Sequence, residues 1–185
     1  MACESLIAYS KECTSSAGGV QRLWLLSYKD LGQIEGSVEP YEVGPSGNIV
    51  DVAFNDGTVA KFVSIGIIKN TVGITETLTK TVETGTSEIT TELTLVISKV
   101  TTSSRNFAQS LADGEVVALI QLRSGNYIIA GLDGGLEVST IVGGSGTAGA
   151  DLSGYTITLS GIENQLLRLV DPMLVPELTV LDTES

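Results

Sequence analysis

The stretch that decides the fold is Thr71–Thr101, with the sequence TVGITETLTKTVETGTSEITTELTLVISKVT. Hydrophobic and polar residues alternate along both of its halves, and Gly85 lies between the halves. Alternation with a period of two is typical of β-strands, because successive side chains point to opposite faces. The stretch therefore predicts a long β-hairpin, with one aliphatic face and one face of threonine and glutamate.

A two-residue type II′ turn at Gly85-Thr86 gives this hairpin a consistent register. The aliphatic face then pairs Val82 with Ile89, Leu78 with Leu93 and Ile74 with Ile97, and Leu95 lies on the same face. Each limb holds about 13 residues, or roughly 43 Å at about 3.3 Å per residue. A monomer would expose such a hairpin, so one interpretation makes residues 71–101 an assembly arm that packs on a neighbouring subunit. The other interpretation is a pair of ordinary sandwich strands interrupted by bulges.

The remainder of the chain has the pattern of an all-β protein that forms a single domain over residues 1–185. Short segments rich in β-branched residues alternate with turn signals of glycine, asparagine and aspartate. The predicted strands are Val20–Tyr28, Val50–Phe54, Thr58–Val63, Glu115–Leu122, Tyr127–Ala130, Leu136–Val142 and Gly154–Gly161. Asn55-Asp56-Gly57 predicts a tight hairpin between the second and the third of them.

One helix is predicted directly after the hairpin. Thr102 or Ser103 can cap its first turn, Phe107 and Leu111 are spaced for one buried face, and Gly114 suits its end. The final segment, residues 164–185, is apolar and contains Pro172 and Pro176. We expect it to run extended and to dock on another subunit.

Composition excludes several classes of function. The 185 residues carry 10 Lys and Arg against 22 Asp and Glu, a net charge of −12, which argues against neutralising phosphates or docking on an anionic membrane. The chain has no histidine, so histidine-based triads and most catalytic zinc sites are excluded. Charged residues are only 17% and mean hydropathy is +0.28, which suggests apolar surface buried against other subunits.

The remaining motifs do not indicate an enzyme, a cofactor or a metal. Cys3 and Cys13 cannot complete a zinc site alone, and are either ordinary small residues or a disulfide. Gly144, Gly146 and Gly149 match the dinucleotide-binding spacing, but a strand rather than the required helix is predicted next. The start of the chain lacks a secretion signal, so we expect synthesis in a cytoplasm.

The loop and strand from Gly146 to Gly161 combine small residues, an aspartate and a Gly-Tyr strand, and this patch resembles the late strand region of phage tail tube proteins. Ala2-Cys3-Glu4-Ser5-Leu6, with Cys13 and Gly18-Gly19-Val20, resembles structural proteins of phages that infect Bacteroidetes, including crAss-like phages. The Thr-rich strand followed by Ser87–Val96 is similar to these proteins too.

This resemblance implies a β-sandwich or partly closed barrel with one flanking helix. It also implies a ring, often hexameric, whose inner strands join into one β-cylinder, and a long hairpin that reaches the adjacent ring. The expected partners are copies of the chain, other tail and connector proteins, and genomic DNA that passes without specific binding. The expected location is the virion tail, after assembly in the host cytoplasm.

Two functions from different classes therefore stand as hypotheses. The first is a subunit of a tail tube or stacked tail ring, in which an acidic bore repels DNA phosphates; Glu83, Glu88 and Glu92 are the candidate bore residues. The second is a head-tail connector, or a capsid decoration or adhesin-type recognition module. Recognition of a carbohydrate or host surface would then have to use Tyr9, Tyr41 or Tyr127.

Overall fold

The computed structural model describes residues 17–55, 61–81, 83, 85–148 and 151–179. The strands are β1 (Val20–Ser27), β2 (Tyr41–Val43), β3 (Ile49–Val52), β4 (Val63–Ile65), β5 (Gly73–Thr81), β6 (Thr86–Ser98), β7 (Val116–Leu122), β8 (Tyr127–Ala130), β9 (Glu137–Gly144), β10 (Gly154–Glu163) and β11 (Arg168–Val170). The helices are α1 (Thr102–Ala112) and the short α2 (Val175–Leu178).

The strands form two sheets, which confirms the prediction of an all-β fold with one substantial helix. The larger sheet has seven strands in the order β2-β3-β11-β8-β7-β1-β4, and the smaller has four in the order β5-β6-β10-β9. Within the described residues neither sheet closes into a barrel, so the architecture is sandwich-like.

The main core lies between the two sheets. One row of paired residues crosses the smaller sheet on its inner face, from Ile74 through Leu93 and Leu159 to Val138. Leu93 and Leu159 are fully buried against inward residues of β1, β7 and β8. Period-two alternation in all four strands therefore supplies the inner face that the sandwich buries.

A second core covers the opposite face of the seven-stranded sheet. Trp24, Leu119 and Ile129 pack there with residues of the C-terminal segment, including Leu174 and Leu178. The central strand β7 is thus covered on both faces, and its residues Val116–Ile120 are all buried. Coverage on both faces explains why this strand is a continuous apolar run instead of an alternating one.

Helix α1 confirms the predicted helix, with its cap one residue earlier than expected. Thr101 is the N-cap: its hydroxyl accepts from the Ser104 amide at 3.1 Å, and its own amide donates to Ser104 Oγ at 2.8 Å. This reciprocal capping box satisfies two amide groups at the helix start. Ala108 and Leu111 then pack into the main core.

The hairpin predicted at Asn55-Asp56-Gly57 is wrong. Strand β3 pairs with β2 and β11, and β4 pairs with β1 near the opposite edge of the same sheet. Residues 56–60 lie outside the described residues, but the flanking strands are not partners. Long-range pairing has overridden a local turn signal.

The extended C-terminal segment predicted over residues 164–185 needs a similar correction. Its described part, to Thr179, contains strand β11 and helix α2. Pro176 lies in the first turn of α2, where a missing amide hydrogen costs little, so proline limits the helix without preventing it. Leu174, Val175 and Leu178 are buried in the chain's own second core.

The hairpin at residues 71–101 forms, but its register differs from the predicted one by four residues. Ile74 pairs with Leu93 and Leu78 pairs with Ile89, and the last pair is Thr81 with Thr86. The two strands therefore end at Thr81 and begin again at Thr86, and Gly85, directly before β6, adopts φ +67°. An even shift keeps every side chain on its predicted face, which is why the pattern could not detect it.

Candidate assembly surface

The outer face of the four-stranded sheet carries polar and acidic residues, together with exposed Val142 and Ile162. A row of paired residues crosses it from Thr75 through Glu92 and Ser160 to Glu137. Each of these residues is next in sequence to a member of the buried row, so strand alternation directs the two rows to opposite faces. Thr77, Thr79, Glu88, Thr90 and Thr94 share this outer face.

Three carboxylates lie on this face without a basic residue among them. Glu88, Glu92 and Glu137 are all exposed, and the only lysine or arginine in the four strands is Lys80. Lys80 has the parity of Ile74, which places it on the opposite side of β5. Glu92 and Glu137 are two strands apart, roughly 10 Å. That distance is close to the Debye length of about 8 Å in physiological salt, so the repulsion between them is only partly screened.

The free edges of the sheet are its second feature. Strand β5 is at one edge and β9 at the other, and among the described residues neither has a partner on its outer side. Eight of the nine residues of β5 are exposed. Unpaired edges offer a row of amide and carbonyl groups that another strand can bind.

The third feature is the tip of the hairpin. Pairing between β6 and β10 ends at Ile89 with Glu163, and the hairpin continues through three further pairs, of which Thr81–Thr86 is the last. All described residues from Thr75 to Glu88 are exposed. The part that projects beyond the sheet is thus only about ten residues long, residues 79–88.

The structure divides the residues predicted for the assembly arm into three groups. Leu93 and Leu95 are buried in the chain's own main core, Ile74 and Ile97 are half-buried against it, and Ile89 is also buried. Only Leu78 is exposed, by 56%. Val82 lies outside the described residues.

This grouping corrects the first interpretation of the hairpin. Its aliphatic face is covered by β1, β7 and β8 of the same chain, as in the alternative with ordinary sandwich strands. The bulges expected in that alternative do not occur between β5 and β6, whose described pairs keep one register. The expectation that a neighbour covers the face came from the apparent exposure of an isolated hairpin. The sheet to which the hairpin belongs removes most of that exposure.

The predicted bore residues lie in two different places. Glu88 and Glu92 are exposed on the outer face of the sheet, and Glu83 is exposed in the hairpin turn. The previously unpredicted Glu137 joins Glu88 and Glu92 on the outer face. The sequence does indicate that Glu137 lies on the face opposite to Val138 in a strand that follows Gly134-Gly135. Its position beside Ser160 follows only from the pairing of β9 with β10, which the local sequence does not encode.

The described residues offer little for a cofactor or a metal. None of their histidine, cysteine and acidic side chains form a group of three that could hold a metal ion. After Gly144 and Gly146 the described chain continues into β10, without the helix that a dinucleotide site needs. Neither described helix is long and apolar enough to cross a membrane.

Comparison with known proteins identified no relative: no family model, curated protein or solved structure matches the chain.

Proposed function

We propose that the chain is a structural subunit of a phage tail tube or of a stacked tail ring, and that it forms part of a conduit for DNA. The observation that supports this most is the four-stranded sheet, which combines two free edges with an acidic outer face. The resemblance to tail tube proteins supplies the reason to consider a ring, since it implies inner strands that join between subunits.

The edges are suited to pairing between copies related by rotation. All neighbours in the sheet are antiparallel, so β5 and β9, the first and fourth strands, run in opposite directions. Rotation about a ring axis would place β9 of one copy beside β5 of the next, again antiparallel. The two strands also have similar lengths, nine and eight residues. Such head-to-tail contacts close into a ring when the rotation is right.

The size of this ring is compatible with a DNA conduit. Six copies of a four-stranded sheet give a cylinder of about 24 strands. With strands about 4.8 Å apart and tilted by about 40°, its backbone diameter is roughly 48 Å. Packed sheets are about 10 Å apart, so the side chains of one face extend about 5 Å from the backbone. Side chains on the two opposite walls therefore reduce the diameter of the bore by about 10 Å. The space left accommodates one hydrated DNA duplex.

The acidic outer face would line this bore. Each copy contributes Glu88, Glu92 and Glu137, without a cation in the same rows. DNA binding normally gains free energy when lysine and arginine replace counterions on the phosphates. A bore whose charged groups are all carboxylates repels the phosphates, so the duplex can slide without adhering.

The rival recognition module receives less support. Every aromatic side chain among the described residues, including Trp24, Tyr41 and Tyr127, is buried or half-buried. Tyr9 lies outside the described residues. Carbohydrate-binding surfaces normally depend on exposed aromatic rings, and no observation here favours that function.

Proline substitution at the β5 edge tests the proposal. Consecutive residues of an edge strand direct their amides alternately to the partner strand and to the free side. Thr77→Pro and Leu78→Pro therefore form a matched pair: one disturbs pairing with β6, and the other removes only a free-edge donor. Circular dichroism identifies the variant that keeps the fold.

We expect the wild type to form rings or tubes, visible by negative-stain microscopy and light scattering. The folded proline variant is expected to remain monomeric, because its edge can no longer pair. A wild-type protein that remains monomeric at high concentration, or a folded free-edge variant that assembles normally, would contradict the proposal.

A further inference from the structure

One acidic side chain is buried at the end of the smaller sheet, away from the assembly surface. Glu163 is the last residue of β10 and is only 7% exposed. It lines a cavity of about 20 Å³, which is large enough for about one water molecule. A carboxylate in such a position has lost most of its hydration, and the charged form is correspondingly costly.

Hydrogen bonds connect Glu163 to the turn between β8 and β9. Its carboxylate accepts from the Gly131 amide, and the Asp133 amide also donates to it. In return, Asp133 Oδ2 accepts from the Asn164 amide at 2.9 Å. The end of β10 and the turn 131–135 therefore hold each other through two acidic side chains.

The turn requires glycine at the point of this contact. Gly131 has φ +86°, and a Cβ atom there would lie 2.8 Å from the Val116 carbonyl oxygen. A larger residue would therefore clash with the backbone as well as strain it. Only glycine therefore places its amide at this position, where it meets the Glu163 carboxylate.

The groups that surround Glu163 come from four elements. Asp133 belongs to the β8–β9 turn, and Glu76 on β5 accepts from the Leu167 amide at 2.6 Å. Tyr41 on β2 and Arg168 on β11 line the same cavity and hydrogen-bond to each other. Burial raises the pKa of Glu163, and the charges of Asp133 and Glu76 raise it further, while the Gly131 and Asp133 amides oppose the shift.

We propose that Glu163 is a proton-dependent clasp, which holds the end of β10 and the turn 131–135 together more firmly when it carries a proton. Opening of this junction would let water reach the carboxyl group and move it away from Asp133 and Glu76. The opened form therefore favours the charged group, and the closed form favours the neutral group. This inference concerns the single chain and does not depend on the proposed tail function.

The sign of the effect follows from linkage. A carboxyl group that binds its proton more tightly in the closed form stabilises that form below its ordinary pKa, and loses this contribution as pH rises through the raised value. Opening is therefore expected to be rarest below the ordinary glutamate pKa of about 4.3 and to become more frequent as pH rises to neutral and above. Each unit of pKa difference between the two forms changes the opening constant about tenfold.

The experiment is amide hydrogen exchange by NMR on the full chain at several pH values, corrected for intrinsic exchange. We expect the protection of Gly131 and Asn164 to fall as pH rises from about 4.5 to 8. Glu163→Gln should remove that pH dependence, because a neutral amide replaces the titrating group. Glu88→Gln, which alters an exposed glutamate on the outer face, should leave it unchanged.

A carbon-detected titration of the Glu163 carboxyl group in the wild type provides a readout that needs no variant. Its midpoint should lie above the ordinary glutamate value of about 4.3. The proposal fails if the midpoint is ordinary, if protection of Gly131 and Asn164 does not follow it, or if Glu163→Gln retains the pH dependence.

Discussion

Truncation of two leucines from the same hairpin face tests where that face is buried. Leu93 and Leu78 have the same parity in paired strands, but Leu93 is fully buried and Leu78 is 56% exposed. A buried Leu→Ala substitution costs about 2–5 kcal/mol, since it loses transfer free energy and leaves a cavity. Full burial of a leucine contributes about 1.5–3 kcal/mol, so Leu78, less than half buried, can lose at most about 1 kcal/mol.

The assay is urea unfolding of Leu93→Ala and Leu78→Ala, at a protein concentration where the wild type is dispersed. With a slope of about 2 kcal/mol per molar, Leu93→Ala should lower the unfolding midpoint by about 1–2.5 M. Leu78→Ala should lower it by less than about 0.5 M. Equal slopes would show that both variants unfold from comparably compact native states.

The result that would refute the reasoning is equally specific. If Leu93→Ala leaves the midpoint near that of Leu78→Ala but abolishes oligomers, then a neighbouring subunit covers the aliphatic face. The first interpretation of the hairpin would then be restored, and the burial of Leu93 within the chain would be incorrect.

Three further predictions concern individual polar groups. Thr91 is fully buried, and its hydroxyl has no hydrogen-bond partner among the described residues. Thr91→Val should therefore raise the free energy of unfolding in urea by about 1 kcal/mol. A lower free energy of unfolding would show that the hydroxyl is hydrogen-bonded. Thr101→Ala should cost about 1 kcal/mol through the lost cap of α1, with Thr102→Ala as the nearly neutral control. The pKa of Asp151 is lowered by hydrogen bonds from the Ala148 amide, the Thr147 amide and the Thr147 hydroxyl. The contribution of these bonds to stability should therefore be present above pH 3.8, and it should be lost as pH falls through the lowered pKa. Asp151→Asn should therefore lower the thermal unfolding midpoint at neutral pH, and the wild type and the variant should have the same midpoint in acid. If the two midpoints differ equally at all pH values, the charge of Asp151 is not the cause.

The local features of the fold could be predicted where one short-range cause controls them. Strand β8 has the predicted bounds, Tyr127–Ala130, because a tight turn precedes it and its residues are strongly β-forming. The start of α1 was predicted within one residue. The exact cap was missed because Ser104 completes the capping box in place of the usual glutamate or glutamine.

Features that depend on strand order could not be predicted in this way. The partner of β4 is β1, about 40 residues earlier in the chain, and no local pattern encodes this choice. The candidate assembly surface has the same origin. Glu92 and Glu137 share a row only because β10 lies between β6 and β9.

The excess of apolar residues has an explanation within one chain, which changes what the assembly proposal rests on. A sandwich with one buried interface needs one apolar face per sheet, but the seven-stranded sheet here buries both. Trp24, Leu119 and Leu178 belong to the second core, so a low content of charged residues does not require a neighbour. Among the described residues, the main chain of an isolated copy is unpaired at the β5 and β9 edges, as it also is at the β2 and β4 edges of the larger sheet. Proline substitutions that remove free main-chain donors at the β5 and β9 edges should therefore impair assembly more than a charged substitution such as Leu78→Asp. If Leu78→Asp impairs assembly more, side chains of the hairpin tip make the contact between subunits.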